Sequence, residues 1–356
     1  MIESVLLIRE DYVIVKRARV LGPGKIVVED VPEPKISDNQ VLIKVKYCGI
    51  CGSDIHAFLG KHPFIKPPIT PGHEFSGVVV EVGTRVKRIK PGDKVTVIPQ
   101  LTCGTCYNCR TGRYNICRNL KVIGCQVDGA MAELFAVDEN LVFKLPEEIS
   151  LREAALVEPA AVAIHAVRLS DIKLGDNVVV LGAGPIGLLT LQCAKLAGAS
   201  KVIVTDIIDL RLKLAEKLGA DYAVNVSQVD LKKFIEEKLG LDSIDLVFEC
   251  VGIEATINQA IDIVRRGGEV VVVGVFSGKT PIKIHLVQDG EIVLKGSLMY
   301  LKEDFEKAID LIASQKLKVT PLITHVVPLS KVDEAYRIAV EKKNEAVKVL
   351  VECSKD

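Results

Sequence analysis

The chain has 356 residues, is 49% hydrophobic, and carries 46 basic and 46 acidic side chains. That length exceeds what one hydrophobic core usually serves, so two domains are expected. The balanced charge favours neither a nucleic-acid partner nor an anionic membrane surface, and it leaves a small molecule as the expected partner.

The start of the chain predicts no export or membrane segment. Glu3, Arg9 and Asp11 interrupt any apolar run there, so neither a signal peptide nor a transit peptide is indicated. The most apolar stretch, 178–191, is broken by Gly and Pro and does not reach the ~18 apolar residues of a membrane helix. We therefore expect a soluble, cytoplasmic protein, in which cysteines indicate metal binding in preference to disulfides.

The first part of the chain is expected to be a β-barrel-like unit. Between residues 26 and 136, short β-rich segments alternate with turns such as 91–93. A helix is expected over 153–169, and Pro159 predicts that it starts late or kinks. The clearest strands are predicted over 41–45, 77–82 and 94–97.

From residue 176 onward, predicted strands alternate with predicted helices. This alternation indicates right-handed βαβ units around a parallel sheet whose strands are buried on both faces. Periodicity leaves open which domain the tail after residue 300 joins. The strands are expected over 177–181, 201–205, 244–249, 269–275 and 346–351, and the helices over 186–197, 210–218, 255–264, 304–314 and 331–341.

Residues 182–187 form the motif GxGxxG between a predicted strand and a predicted helix. There Gly182 would make a tight turn, Gly184 would let the backbone approach a pyrophosphate, and Gly187 would allow close packing of helix and strand. Pro185 and Ile186 complete the turn, which places the phosphates at the helix N-terminus. A purely structural βαβ turn is the other interpretation.

Asp206 stands nineteen residues beyond the motif, at the end of the next predicted strand. Its carboxylate would accept hydrogen bonds from the adenosine ribose and would repel a 2′-phosphate, which favours NAD over NADP. Arg211 has two interpretations, because it could bind such a phosphate or pack beside the ribose and adenine.

Four cysteines lie within fifteen residues, in the order CxxCxxC, seven residues and a fourth cysteine. This density of thiols is typical of a closed, tetrahedral zinc site. Because four protein ligands leave no position for a substrate, the predicted role is structural. Disulfides and an iron–sulfur cluster are the alternatives. The residues are Cys103, Cys106, Cys109 and Cys117.

A second set of metal-binding residue types predicts a catalytic zinc. Such a site takes about three protein ligands and keeps one exchangeable position. Taken singly, Cys51 could be a small buried apolar side chain and His73 a turn histidine. Their joint occurrence with Ser53, His56 and a cofactor domain favours the metal. The candidate ligands are Cys51, His73, Glu74 and Glu158.

Taken together, these motifs resemble those of the zinc-dependent medium-chain alcohol and polyol dehydrogenases over nearly the whole chain. The run 72–75 and the Glu158-Pro159 pair are most similar to the sorbitol, 2,3-butanediol and threonine dehydrogenase branch, and 296–300 and 346–351 are also family-like. The resemblance implies an α/β fold with a GroES-like β-barrel catalytic domain and a Rossmann domain with a doubly wound parallel sheet. The implied bounds are 1–163 and 300–356 for the catalytic domain, with a zinc lobe at 99–120, and 164–299 for the NAD-binding domain.

The resemblance also implies a role for each residue around the catalytic zinc. Cys51, His73 and one glutamate would bind the metal, and Asp54 would orient a ligand. Glu74 is the favoured carboxylate, with Glu158 close by.

Further contacts are expected with substrate and cofactor. By resemblance, Ser53 contacts the substrate hydroxyl and His56 takes the proton through the cofactor ribose. By position, Val273 and Val275 would line the nicotinamide site, and Lys348 would either reach the pyrophosphate or be a solvated strand lysine.

The expected activity is reversible, NAD-linked oxidation of a secondary alcohol in a polyol, vicinal diol or hydroxy acid, such as sorbitol, 2,3-butanediol, threonine or an aldonate. One catalytic and one structural zinc per chain and a homodimer or homotetramer are implied. Met299 departs from animal-type sorbitol dehydrogenases, which carry an arginine there and lack the four-cysteine lobe. The alternatives are a zinc-independent reductase of the same superfamily and a non-catalytic redox sensor that binds zinc and a nucleotide.

Overall fold

The structure is a computed structural model that describes residues 13–240 and 242–355. Residues 1–12, from which no targeting segment is predicted, lie outside this part. Within it, no helix combines the length and apolarity needed to cross a membrane.

The strands are β1 (Ile14–Gly22), β2 (Lys25–Pro32), β3 (Gln40–Gly49), β4 (Glu74–Val82), β5 (Lys94–Val97), β6 (Gln100–Leu101), β7 (Lys121–Val122), β8 (Leu134–Asp138), β9 (Val142–Lys144), β10 (Asn177–Leu181), β11 (Lys201–Asp206), β12 (Tyr222–Asn225), β13 (Leu246–Glu249), β14 (Glu269–Val272), β15 (Val293–Gly296), β16 (Ile323–Pro328) and β17 (Lys348–Glu352). The α-helices are α1 (Gly52–Phe58), α2 (Tyr107–Arg110), α3 (Leu151–Ala154), α4 (Val157–Leu169), α5 (Pro185–Leu196), α6 (Asp209–Lys217), α7 (Leu231–Leu239), α8 (Glu254–Ile263), α9 (Ile284–Asp289), α10 (Lys302–Ala313) and α11 (Val332–Glu341).

One sheet has seven strands, five from residues 40–144 and two from residues 323–352. Its order is β16-β17-β3-β4-β5-β9, and β8 pairs with β3. β17 lies antiparallel to β3, so the tail, whose destination periodicity left open, joins this sheet. The pairing is favoured because Val349, Leu350 and Val351 are all buried in the β17 segment.

The second sheet has six parallel strands in the order β12-β11-β10-β13-β14-β15. With β10 as the first strand, this is the doubly wound order 3-2-1-4-5-6, and it confirms the predicted Rossmann architecture. β12 and β15 were not predicted. Both are four residues long and lie at the sheet edges, where the sequence lacks a long apolar run.

The helix predicted over 153–169 is two helices, α3 and α4. Ser150 and Glu153 form a capping box that starts α3, and α4 then begins at Val157. Pro159 therefore lies in the first turn of α4, where its missing N–H costs no helical hydrogen bond. α4 carries the buried Glu158, and it contacts both β4 of the barrel sheet and α5, the helix that follows β10 of the parallel sheet.

Candidate active site and zinc lobe

A thiol, an imidazole and a carboxylate converge where β3 ends and β4 begins in the barrel sheet. Donor atoms of Cys51, His73 and Glu74 all lie within 4.8 Å of one another. Cys51 caps the N-terminus of α1, while His73 and Glu74 stand where β4 begins. This mixed sulfur, nitrogen and oxygen set fits a zinc ion with one open position.

Two glycines make room for this convergence. Gly49 pairs with Glu74 across β3 and β4, and a Cβ added to Gly49 would lie 2.2 Å from Glu74 Oε2. Gly72 has φ of +106°, and a Cβ there would lie 2.6 Å from Cys48 Sγ. Larger residues would therefore displace the backbone or side chains that carry the donor atoms.

Lys348 is buried beside the candidate metal site. Its side chain is 2% exposed, so the alternative of a solvated strand lysine is wrong. Its ammonium donates to Glu74 Oε2 and, at 3.2 Å, to the carbonyl of Ile50. The structure thus engages Lys348 with the candidate metal site, while its contact with the cofactor pyrophosphate stays a prediction. Sequence periodicity could not show this pairing, because the two residues are 274 positions apart.

Asp54 and Cys125 surround the ring of His73. Asp54 Oδ2 accepts the backbone N–H of Cys51 at 2.9 Å, and its Oδ1 lies 3.9 Å from His73 Nδ1. Cys125 Sγ lies 3.9 Å from the same nitrogen. Burial alone would lower the pKa of His73, but Asp54, Cys125 and Cys51 together raise that pKa well above its usual value. Cys125 was not predicted, and no motif in the sequence marks it.

Glu158 lies outside the group of three donor residues. Its Oε1 accepts the hydroxyl of Tyr300 at 2.9 Å, and both side chains are buried. Burial raises the pKa of the Glu158 carboxyl to about 7. The site therefore holds two carboxylates in distinct environments, Glu74 beside an ammonium and Glu158 beside a phenol.

Ser53 and His56 lie three residues apart on α1 and so share one side of that helix. His56 is half-buried, and burial together with Lys61 and Lys343 lowers its pKa. A histidine with a lowered pKa is neutral at pH 7 and can accept a proton.

The four clustered cysteines form a compact tetrahedron of sulfur atoms. Four of the sulfur–sulfur distances are 3.5, 3.5, 3.9 and 4.0 Å. Zinc–sulfur bonds of about 2.3 Å in a tetrahedron give sulfur separations of about 3.8 Å, so the space fits one zinc ion. All four cysteines are free, which excludes the disulfide alternative, and the space is too small for a cluster of several irons. The residues are Cys103, Cys106, Cys109 and Cys117.

The glycine-rich turn links β10 to α5. Pro185 and Ile186 open α5 after the N-cap Gly184. A Cβ on Gly187 would lie 1.8 Å from the carbonyl oxygen of Gly182, so this helix can approach the strand only with glycine there.

Asp206 ends β11 beside this turn. Its Oδ2 accepts the N–H of Ala183 at 2.8 Å, and its Oδ1 accepts those of Ile207 and Ile208 at 2.8 and 3.0 Å. Arg211 lies on α6, 3.9 Å from Asp206, and donates to the carbonyl of Ala346 in the tail at 3.3 Å. The carboxylate is therefore held rigidly at the end of its strand.

Val273 and Val275 lie in a loop and not in a strand, because β14 ends at Val272. The backbone N–H groups of Val273 and Gly274 both donate to the Glu249 carbonyl, at 2.8 and 2.9 Å. The predicted strand was too long here because its apolar run continues past the last ladder pair. The loop follows the carboxyl end of a parallel strand, where nucleotide ligands bind in such sheets.

Comparison with known proteins shows the family. Residues 37–147 match the alcohol dehydrogenase GroES-like domain, and residues 185–314 match zinc-binding dehydrogenase. Sorbitol dehydrogenase from Bacillus subtilis (strain 168) is 36% identical over 342 residues, which cover 94% of this chain and 96% of the relative.

Solved structures agree with this match. The chain is similar to 2R,3R-butanediol dehydrogenase from Bacillus subtilis, with a TM-score of 0.87 and 36% identity over 95% of this chain and 99% of that one. It is also similar to a zinc-binding dehydrogenase from Sinorhizobium meliloti 1021 bound to NADP, with a TM-score of 0.89 and 37% identity over 96% and 99% of the two chains. The chain therefore belongs to the zinc-dependent medium-chain dehydrogenases, in their polyol dehydrogenase branch, and is an oxidoreductase.

Proposed function

We propose that the protein oxidises a secondary alcohol of a polyol, vicinal diol or hydroxy acid to the ketone, reversibly and with NAD. The observation that carries this proposal is the convergence of Cys51, His73 and Glu74 donor atoms within 4.8 Å. A closed four-thiolate site could not bind substrate, whereas three mixed ligands leave a position for an alcohol oxygen.

Cys51, His73 and Glu74 would hold the catalytic zinc. Zinc in such a site supplies a Lewis acid that lowers the pKa of an alcohol. We assign Glu74 as the third ligand because its oxygen belongs to the donor group, whereas Glu158 is held by Tyr300 outside it. Asp54, whose Oδ1 lies 3.9 Å from His73 Nδ1, would help to orient the ring of this ligand.

Ser53 and His56 would carry the alcohol proton away from the site. Ser53 lies near the N-terminus of α1, two residues after the ligand Cys51, and its hydroxyl can both accept and donate. His56, one turn further along the helix, is kept neutral by its lowered pKa and can accept the proton. The helix thus offers a short route from the half-buried ligand Cys51 to the half-buried imidazole of His56.

The glycine-rich turn 182–187 and Asp206 would bind NAD, which supplies the hydride acceptor. Three backbone N–H groups hold the Asp206 carboxylate in place, so it cannot swing away from a 2′-phosphate. The Sinorhizobium meliloti relative is bound to NADP, so coenzyme preference needs a direct measurement. We expect kcat/KM to be higher with NAD than with NADP.

Two names among the relatives, sorbitol dehydrogenase and butanediol dehydrogenase, support a diol or polyol substrate. The test is to measure NADH formation by the zinc-loaded protein over sugar alcohols, butanediol stereoisomers, threonine and aldonates. Turnover of at least one secondary alcohol is expected. If the protein binds two zinc ions and NAD but oxidises none of these alcohols, the result would favour the alternative that it is a redox sensor. A homodimer or homotetramer belongs to this proposal, and light scattering would test it.

A further inference from the structure

The four-cysteine lobe, residues 99–120, holds a short segment at the active site. Three lobe side chains bind the backbone of alternate residues in the segment 298–302. Asn115 Nδ2 donates to the carbonyl of Leu298 at 2.9 Å, and Gln100 Nε2 donates to that of Tyr300 at 2.8 Å. Tyr114 accepts the backbone N–H of Lys302 on its hydroxyl. We call Gln100, Tyr114 and Asn115 the lobe clasp.

The segment needs such support from outside. It runs from just after β15 to the first residue of α10, so a sheet ladder holds none of it. Met299 within it has a φ of +52°, a left-handed conformation that is costly for a residue with a side chain. Gln100 and Asn115 are only 4% and 6% exposed, so water cannot readily replace their bonds to the segment.

The segment carries Tyr300, whose hydroxyl donates to Glu158 beside the candidate metal site. The backbone carbonyl of this same tyrosine is the atom that Gln100 holds. A shift of the segment would therefore move the phenol that fixes the Glu158 carboxylate.

A second set of hydrogen bonds and an ion pair connects the lobe, the segment 298–302 and α4. Asp304 accepts the N–H of Leu301 at 2.9 Å and lies 2.7 Å from His165 Nδ1, and it also pairs with Arg168. Asn115 Nδ2 lies 3.3 Å from His165 Nε2, so this nitrogen is the acceptor and His165 Nδ1 donates to Asp304. His165 and Glu158 stand on the same helix, α4. The lobe thus contacts both the helix that carries Glu158 and the segment that holds it.

We propose that the lobe clasp positions Tyr300 and, through it, orients Glu158 at the catalytic metal site. The four-cysteine lobe then has a second role besides its contribution to stability, because it sets the geometry of a site to which it gives none of the grouped donor atoms. The catalytic part of this inference rests on the proposed function. Gln100, Tyr114 and Asn115 are positioning residues in this scheme, because their side chains bond to the segment and to His165.

The test uses two clasp variants, Asn115→Ala and the milder Tyr114→Phe. They are compared with Tyr300→Phe and with the double variant Asn115→Ala/Tyr300→Phe. Zinc-loaded Asn115→Ala should exchange backbone amides over 298–302 faster, as measured by mass spectrometry. Its kcat should fall roughly tenfold, within the range for groups that support a metal site, while the Kd for NAD stays unchanged. Tyr300→Phe should lose a similar factor, and Asn115→Ala/Tyr300→Phe should lose little more, because both changes remove the same interaction.

Tyr107→Phe is the matched control, because this lobe tyrosine is 73% exposed and should behave as the unmodified protein does. Unchanged exchange over 298–302 in both clasp variants would overturn the proposal, as would losses in kcat that multiply in the double variant. The exchange measurement does not depend on turnover. Full turnover by Cys51→Ser would instead overturn the proposed function, so the two failures are distinguishable.

Discussion

Replacing Lys348 by methionine should destabilise the metal-free protein and strengthen zinc binding at the candidate catalytic site. Lys348 and Glu74 are 2% and 1% exposed, and the ammonium also satisfies the carbonyl of Ile50. Methionine has a similar length, so little cavity forms, but the Glu74 carboxylate remains buried without its partner. Breaking one side of a buried ion pair typically costs about 3–5 kcal/mol.

Zinc bound by Glu74 would supply the positive charge that Lys348→Met removes, so the loaded protein should lose less stability than the metal-free protein. If zinc binding recovers about 1.4 kcal/mol of the stability that Lys348→Met loses without metal, the Kd of the variant for zinc is tenfold lower than that of the unmodified protein. The free energy of unfolding would be measured by guanidinium denaturation with chelator and with zinc, and zinc affinity by competition with a chromophoric chelator.

The double variant Lys348→Met/Glu74→Gln is the matched control. An amide carries no charge, so the metal-free double variant should recover much of the lost stability while binding zinc more weakly at this site. Equal stability of Lys348→Met and the unmodified protein without metal would refute the reasoning, and so would weaker zinc binding by Lys348→Met.

Three further changes have defined outcomes. Gly49→Ala would place a Cβ 2.2 Å from Glu74 Oε2 and so displace this candidate ligand. Metal analysis should then find close to one zinc per chain in place of two, and an unchanged zinc content would contradict this steric argument. Lys61→Gln removes a charge that lowers the pKa of His56. Since the proposed base is the neutral imidazole, activity should be lost as pH falls through this pKa, and the acid limb of kcat/KM should move to higher pH in the variant. Cys106→Ser should lose the structural zinc and lower the Tm, whereas an inactive variant of unchanged Tm would contradict a structural site.

Features that are local in sequence could be predicted. The motif at 182–187 and the four cysteines place all their members within a short stretch, so spacing alone indicates what the residues bind. Cys51, His73 and Glu74 were also predicted as candidates, and the structure brings their donor atoms together. The strand over 94–97 was predicted with its observed bounds, because alternation and flanking turns are strong there.

Features that depend on distant residues could not be predicted. The partner of Lys348 comes from 274 positions away, and that of Glu158 from 142 positions away. Periodicity describes which face of an element is buried but not which element covers it. For the same reason Cys125 was missed beside His73, and the edge strands β12 and β15 were missed because their short apolar runs are stabilised by sheet neighbours.

The central claim is that Cys51 holds a catalytic zinc. Its most direct test is to measure NADH formation and zinc content of Cys51→Ser, using an alcohol that the unmodified protein oxidises. Cys193→Ala is the control, because it removes a buried thiol from α5 and should keep both zinc ions and full activity. We expect Cys51→Ser to stay folded, retain about one zinc per chain in the four-cysteine lobe and lose NADH formation. Full turnover by Cys51→Ser would contradict the assignment.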